Sequence, residues 1–202
     1  MNFAKLVAAT RSVRRFHEDR AIGLEVLRTL TDLARQTGSA GNLQPLRYVL
    51  SNDPATNERI FSRLVWAAYL KDWKGPESGE RPAGYVVVCA EAGAKDANAR
   101  VDAGIACQTM LLAAREKGLG GCMLGSVDRA GLRLDLDIPE NVNILYVLAF
   151  GEPLEQVVLE PLGEDGGVKY WRDEKEVHHV PKRGLEELIL STFERGKPEK
   201  ND

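Results

Sequence analysis

The chain has 202 residues, with 27 Lys or Arg against 30 Asp or Glu and a formal net charge of −3. That balance argues against non-specific nucleic-acid binding, which needs many phosphate-neutralising cations on one face. At 44% hydrophobic residues the sequence suits one domain with its own core, and its longest apolar run, "ILYVLAF", is of strand length, too short to span a membrane.

In chain order, a first helix is expected from about Phe3 to Arg11. The first seventeen residues are basic but lack the apolar segment of a secretory signal, and Phe3, Leu6 and Val7 fit an ordinary amphipathic helix. "GLEVLRTLTDLARQTG" places Val26, Leu27, Leu30, Leu33 and Ala34 at helical spacing and stops at Gly38. "LRYVLS" reads as a strand and "NERIFSRLVWAAYL" as a helix. "KDWKGPESGERPAG" reads as a polar loop. "YVVVCA" is a continuous apolar strand, expected to be buried on both faces. "DANARVDAGIACQTMLLAAREKG" is the longest helix and is apolar all round, as a centrally placed helix would be. A short strand near Cys122 to Leu124 and a helix near Arg129 to Leu134 follow. "NILYVLAFGEP" is a second buried strand, "GVKYWRDE" is extended, and "GLEELILSTFERG" is a last helix. Helices and strands mix without strict alternation. The expected class is therefore α+β, a mixed central sheet flanked by helices on both faces, in a single domain spanning 1–202.

Cys89, Cys107 and Cys122 form an odd set without CxxC spacing, which fits a reducing, cytoplasmic setting. His17, His178 and His179 are too few for a zinc site.

Several short stretches carry chemistry. In "TRSVRRF", Arg11, Ser12 and Arg14 bring guanidinium forks and a hydroxyl together as a phosphate needs, or else complement the negative end of a helix dipole. In "GSAGNLQP", Ser39, Asn42 and Gln44 offer short polar arms to a planar heterocycle, or are simple turn chemistry. "KGLGGCMLG" follows a helix rather than a strand, the wrong setting for a dinucleotide fingerprint. Gly120 and Gly121 there suggest backbone lying close to something flat, or a helix C-cap with a tight turn. In "HHVPKRGLEEL", Lys182 and Arg183 add two cations to an anion site, or form a solvated pair. Trp66, Tyr69 and Trp73 fit stacking on an aromatic substrate, or buried packing.

Taken in order, these stretches resemble the nitroreductase family of FMN-dependent NAD(P)H oxidoreductases. "RSVRRF" is similar to the family's R-S-x-R-x-F, and "GSAGNLQPLRYVL" to its P-S-x-x-N-x-Q-P-W-R-F. "DAGIACQTMLLAAREKGLGGCMLG" resembles the central helix and glycine turn, "ILYVLAFGEP" the strand ending in G-x-P, and "HHVPKRGLEEL" the C-terminal basic segment of one subgroup. The resemblance covers nearly the whole chain.

It implies a nitroreductase-like fold in an intertwined homodimer, with FMN at the subunit interface. Arg11 and Ser12 would hold the FMN phosphate with Lys182 or Arg183. Arg14 would reach the pyrimidine side of the flavin, where a fixed cation favours the reduced ring. Ser39, Ala40 and Asn42 would reach FMN from the partner subunit, with Gln44 near the pocket. Gly120, Gly121 and Cys122 would lie against the ring. Hydride would pass from NAD(P)H through flavin N5 to a flat acceptor of quinone or nitroaromatic type, in ping-pong order, with no obligate acid or base side chain. Residues 62–83 would roof the site, with Trp66, Tyr69 and Trp73 against substrate. Arg63, Lys71, Lys74 and Arg81 would be the cations from which a site for the extra phosphate of NADPH could be built. Thr10, Gly38 and Leu46 depart from the family's usual arginine, proline and tryptophan. Two alternatives stand beside this reading: other flavin chemistry on the same fold, such as dehalogenation or flavin destruction, and a flavin-binding module without turnover. No metal, nucleic acid or membrane partner is expected.

Overall fold

A strand that is apolar on both faces has to be covered twice. In a computed structural model, which describes residues 1–70 and 72–195, the run Tyr85 to Ala90 lies in strand β2 (Gly84–Glu91), inside a four-stranded sheet. The other strands are β1 (Leu46–Ser51), β3 (Gly120–Leu124) and β4 (Val142–Gly151), in the order β1-β2-β4-β3. Val49 faces Val87, Val87 faces Val147, and Cys122 faces Ala149. Between Val88 and Cys89 the register slips, because their partners are Tyr146 and Ile144 and Leu145 is the extra residue of a bulge.

Those three pairings are all antiparallel. Parallel pairing enters at the edge of β3, where Ser12 bridges Gly121. It appears again in a separate sheet of β5 (Val157–Pro161), β6 (Trp171–Arg172) and β7 (His178–Lys182), ordered β5-β7-β6, in which β5 and β7 run parallel.

Helices cover both faces of the main sheet. On one face α2 (Leu24–Arg35) and α4 (Asp96–Glu116) pack Leu27, Leu30, Ala103 and Met110 against Val86, Val88 and Leu148. On the other, Ile60 of α3 (Pro54–Phe61) and Leu132 of α5 (Arg129–Asp135) pack against Tyr85, Val87 and Val147. Local chemistry sets the ends. Asn2 caps α1 (Phe3–Ala9) by accepting from the Lys5 N–H at 2.9 Å, and Asp53 caps α3 ahead of Pro54. α4 closes in a Schellman turn: Gly118 has φ +80°, its N–H donates to Arg115 O at 3.0 Å, and the Leu119 N–H donates to Ala114 O at 2.9 Å. That turn aims the chain into β3.

Two expectations change, and two strands appear that the sequence did not announce. The helix read over "NERIFSRLVWAAYL" ends at Phe61. Beyond it Leu64 and Trp66 are buried and Val65 is exposed, a two-residue period that delivers Trp66 to the core as extended chain. The last helix is only α6 (Leu185–Leu188), because its apolar residues find no surface within the chain to pack on. β5 and β7 carry no strong strand pattern in the sequence, being short and each containing a proline. Lys71 and Gly196, the last residue of the expected final helix, lie outside the described residues.

α4 buries Ala99, Asp102, Ala103, Ala106, Cys107 and Met110, yet Val101 and Ile105, one turn apart, are 62% and 42% exposed. Its apolar character all round thus reflects one face packed in the domain and one left open. No described helix is long and apolar enough to cross a membrane.

Candidate functional site

The arginine-rich stretch leaves α1 at Thr10, whose hydroxyl donates to Leu6 O at 2.7 Å. From there it runs along the edge of β3, where the Val13 N–H donates to Gly121 O at 3.0 Å. Val13 and Phe16 are buried; Arg11 and Arg14 are half-buried and Ser12 is exposed. With Val13 and Phe16 anchored, Arg11, Ser12 and Arg14 border a cleft of about 280 Å³, closed by α4 and the small sheet. Arg11, Ser12, Arg14 and Lys182 line it together with Thr10, Gln108, Leu111, Tyr170, His178 and Val180, and no carboxylate is among its lining residues.

The cations here are poorly compensated. Arg11 donates from Nη2 to Val7 O at 2.9 Å, while its buried Nε has no partner, and burial pulls its pKa down. Arg14 lies with its guanidinium carbon 5.1 Å from the Tyr170 ring centre. Its Nη1 is 3.4 Å from Ser12 O and 3.5 Å from His178 Nε2. A partly desolvated guanidinium with an unused donor is stabilised by an anion that brings several acceptor oxygens. The residues present therefore fit a phosphate.

His178 is 1% exposed and its Nδ1 is buried without a partner. Burial, then the nearby Arg14 and Arg172 charges, pull its pKa down to about 4. It is neutral at pH 7 and leaves the positive charge to the arginines. His179 points elsewhere. It stacks on Trp171 with ring centres 4.1 Å apart and sits between Glu160 and Asp173, which raise its pKa.

The loop from Ser39 to Gln44 is a second polar constellation. Asp102 of α4, 3% exposed, accepts from Ser39 Oγ at 2.6 Å and from the Ala40 N–H at 3.0 Å. Ser39 Oγ in turn accepts from the Gln44 N–H at 3.0 Å. Gly41, Asn42 and Gln44 have φ of +59°, +55° and +49°. A left-handed Asn or Gln persists only where its surroundings hold it, and Asp102 with Ser39 provides that hold. No residue of this loop lines the basic cleft of its own chain. Ser39 and Gln44 border a separate depression of about 180 Å³ with Leu46, Tyr48 and Asp102.

Gly120 and Gly121 follow the C-cap turn of α4 and open β3. A Cβ on Gly120 would come within 2.9 Å of Val13, and one on Gly121 within 2.7 Å of Leu111 and 2.9 Å of Ala149 O. The arginine stretch, α4 and β4 converge closely on this backbone. Cys122 is buried beside it, and burial raises its thiol pKa. Cys89 and Cys107 are likewise buried, with pKa values pushed up to about 11 and about 12.

Of the two C-terminal cations, only Lys182 lines the cleft; Arg183 turns to Glu187, 3.3 Å away. The aromatic trio separates. Trp66 is 4% exposed in the core against Phe61, so it offers no face to a substrate. Trp73 is half-buried beneath the Arg172 guanidinium at 4.3 Å. Tyr69 is exposed, and its ring is 5.0 Å from Tyr170 at the cleft wall. Arg63 and Arg81 are engaged by Asp135, Asp128 and Glu58. Asp102, Gln108, Tyr170 and His178 escaped the sequence reading. A carboxylate on the alanine-rich face of the long helix was the one available signal for Asp102.

A model described as the Nitroreductase family matches residues 7–152. A relative from Archaeoglobus fulgidus, provisionally named an NADH dehydrogenase/NAD(P)H nitroreductase, is 27% identical over 159 residues, 75% of this chain and 86% of that protein. A protein from Desulfovibrio desulfuricans, provisionally named a nitroreductase and solved with FMN, superposes with a TM-score of 0.68 at 23% identity, covering 96% of this chain and 98% of that one. The NADPH:FMN oxidoreductase of Vibrio harveyi, solved with NAD+, gives a TM-score of 0.63 at 23% identity over 80% of this chain and 74% of that one. At these identities the structural likeness establishes the fold.

Proposed function

The chain belongs to the nitroreductase family, and from that premise we propose that it is an NAD(P)H-dependent oxidoreductase whose FMN sits in the cleft of Arg11, Ser12, Arg14 and Lys182. One observation carries this reading: three cations converge on a cleft whose lining holds no carboxylate, and one of them has a buried donor unused. When bound, FMN would supply hydride transfer between NAD(P)H and a flat acceptor of quinone or nitroaromatic type, in ping-pong order.

The protein's part is to bind and orient. Arg11, Lys182 and the Ser12 hydroxyl neutralise and grip the phosphate. Arg14, held against Tyr170 and a neutral His178, presents a fixed positive charge to the flavin's pyrimidine side. Tyr69 and Tyr170 form the aromatic wall for the acceptor. The Ser39–Gln44 loop serves the cleft of a second copy in a homodimer. Support for this comes from the loop's separation from its own cleft and from the bare apolar residues on α4 and beyond α6.

The test is a titration of FMN-free protein followed by flavin fluorescence. Wild type should bind one FMN per chain. Arg11→Ala should weaken binding about 10- to 100-fold, the range for one hydrogen bond to a charged group. Unchanged affinity in Arg11→Ala would place the phosphate elsewhere.

A further inference from the structure

We propose that Glu155 and Arg172 are positioning residues that tie the Trp73 end of the roof segment to the backbone of Arg14, so that roof and cofactor-facing arginine are held as one unit. The inference rests on the cleft being the FMN site and on the 62–83 segment roofing it, and adds how that site is coupled to its acceptor side.

Glu155 follows β4, and its side chain is fully buried. One carboxylate oxygen accepts the Arg14 N–H, and the other accepts from Arg172 Nη2 at 3.0 Å. Arg172 lies in β6, 10% exposed, and its guanidinium covers Trp73 at 4.3 Å. A second path runs beside the first. Arg172 lies 3.9 Å from Glu176, which pairs with Arg15 at 3.0 Å, and Arg15 grips Glu80 through two bonds of 2.6 and 2.7 Å. The Phe16 N–H also donates to Glu80 O at 2.9 Å. The cofactor-binding stretch is thereby fastened to the roof at Trp73 and again at Glu80.

A buried carboxylate with both oxygens engaged has one good geometry, and shifting either partner leaves a desolvated charge poorly matched. Displacement of Trp73 is therefore felt at Arg14. By linkage, whatever FMN does to the order of the roof, the roof does to FMN affinity by the same factor.

The experiment is amide exchange over residues 72–80 of the full chain with and without FMN, beside the FMN Kd. In wild type, FMN should slow exchange there by about 5-fold or more, the lower range of measured couplings. In Arg172→Met that slowing should vanish and the Kd should rise by the same factor, whereas a purely structural pair would raise exchange equally in both states. Slowing that persists in Arg172→Met overturns the proposal. Should Arg172→Met fail to fold, Trp73→Leu removes only the roof end of the link, and an unchanged Kd in that variant overturns it equally. If wild type binds no FMN, the cofactor reading falls instead. The tie is then judged without ligand: Arg172→Met must speed exchange at Arg14 and at residues 72–80 together, and a change at one alone overturns it.

Discussion

Neighbouring histidines in β7 sit in opposite fields, and the difference is measurable. His178 is buried beside two arginines, with its pKa lowered to about 4. As pH falls from its unfolded value of about 6.5, the unfolded chain takes up a proton that the folded one refuses. His178 therefore contributes stability above that value and loses it toward pH 4. His179 lies between Glu160 and Asp173 and has a raised pKa. Its contribution is full below the unfolded value and is lost as pH rises through the folded one. In an NMR titration the His178 ring resonances should turn over near pH 4 and those of His179 above about 6.5. Coincident midpoints would contradict both environments. At this scale the clustering of Arg11, Ser12 and Arg14 in one cleft was legible, because their spacing is local. The sequence hid Asp102 and Glu155, whose partners Ser39 and Arg14 are 63 and 141 residues away.

Between residues and fold, the Ser39–Gln44 loop shows how an element is made from one buried carboxylate. Asp102→Ala strips the acceptor from the Ser39 hydroxyl and the Ala40 N–H. At about 1–3 kcal/mol for a buried group left unsatisfied, urea unfolding should show a loss of that order, and Asp102→Asn, which keeps one acceptor oxygen, should lose less. Equal stability of Asp102→Ala and wild type would mean that the loop is held by something else. Strands β2 and β4 were legible because they are apolar without interruption, and α2 because its apolar residues repeat at helical spacing. The stretch from Ser62 to Leu70 was not. Its apolar residues also satisfy a helical period, and only burial of Leu64 and Trp66 around exposed Val65 selects the extended form. "GLEELILSTFERG" failed for a related reason, since a helical pattern without a surface to pack on does not make a long helix.

At the level of the whole molecule, the homodimer proposal concerns large apolar residues that the described chain leaves exposed. Leu190 and Phe193 are 99% and 90% exposed, beyond α6, and Val101 and Ile105 lie bare on α4. If a second copy covers this surface, a chain ending after Arg183 keeps Lys182 in the cleft but loses the apolar tail. Sedimentation should find wild type as a dimer and the shortened chain shifted to monomer, with weaker FMN binding. A wild-type monomer that still retains FMN would contradict the shared site. The fold class could be read from the sequence because the order of elements is a property of one chain. The proposed pairing of loop and cleft is not such a property, since no residue of the Ser39–Gln44 loop lines the cleft of its own chain.

The most direct measurement is the visible absorption spectrum of the purified protein, taken without oxygen before and after NAD(P)H, in wild type and Arg14→Ala. Wild type should show oxidised flavin bands that bleach on addition. Arg14→Ala should keep its flavin while bleaching about 10-fold or more slowly, the loss expected when a preorganised charge is removed from the reacting centre. Bands that persist in wild type, or no bands after reconstitution with FMN, would contradict the account.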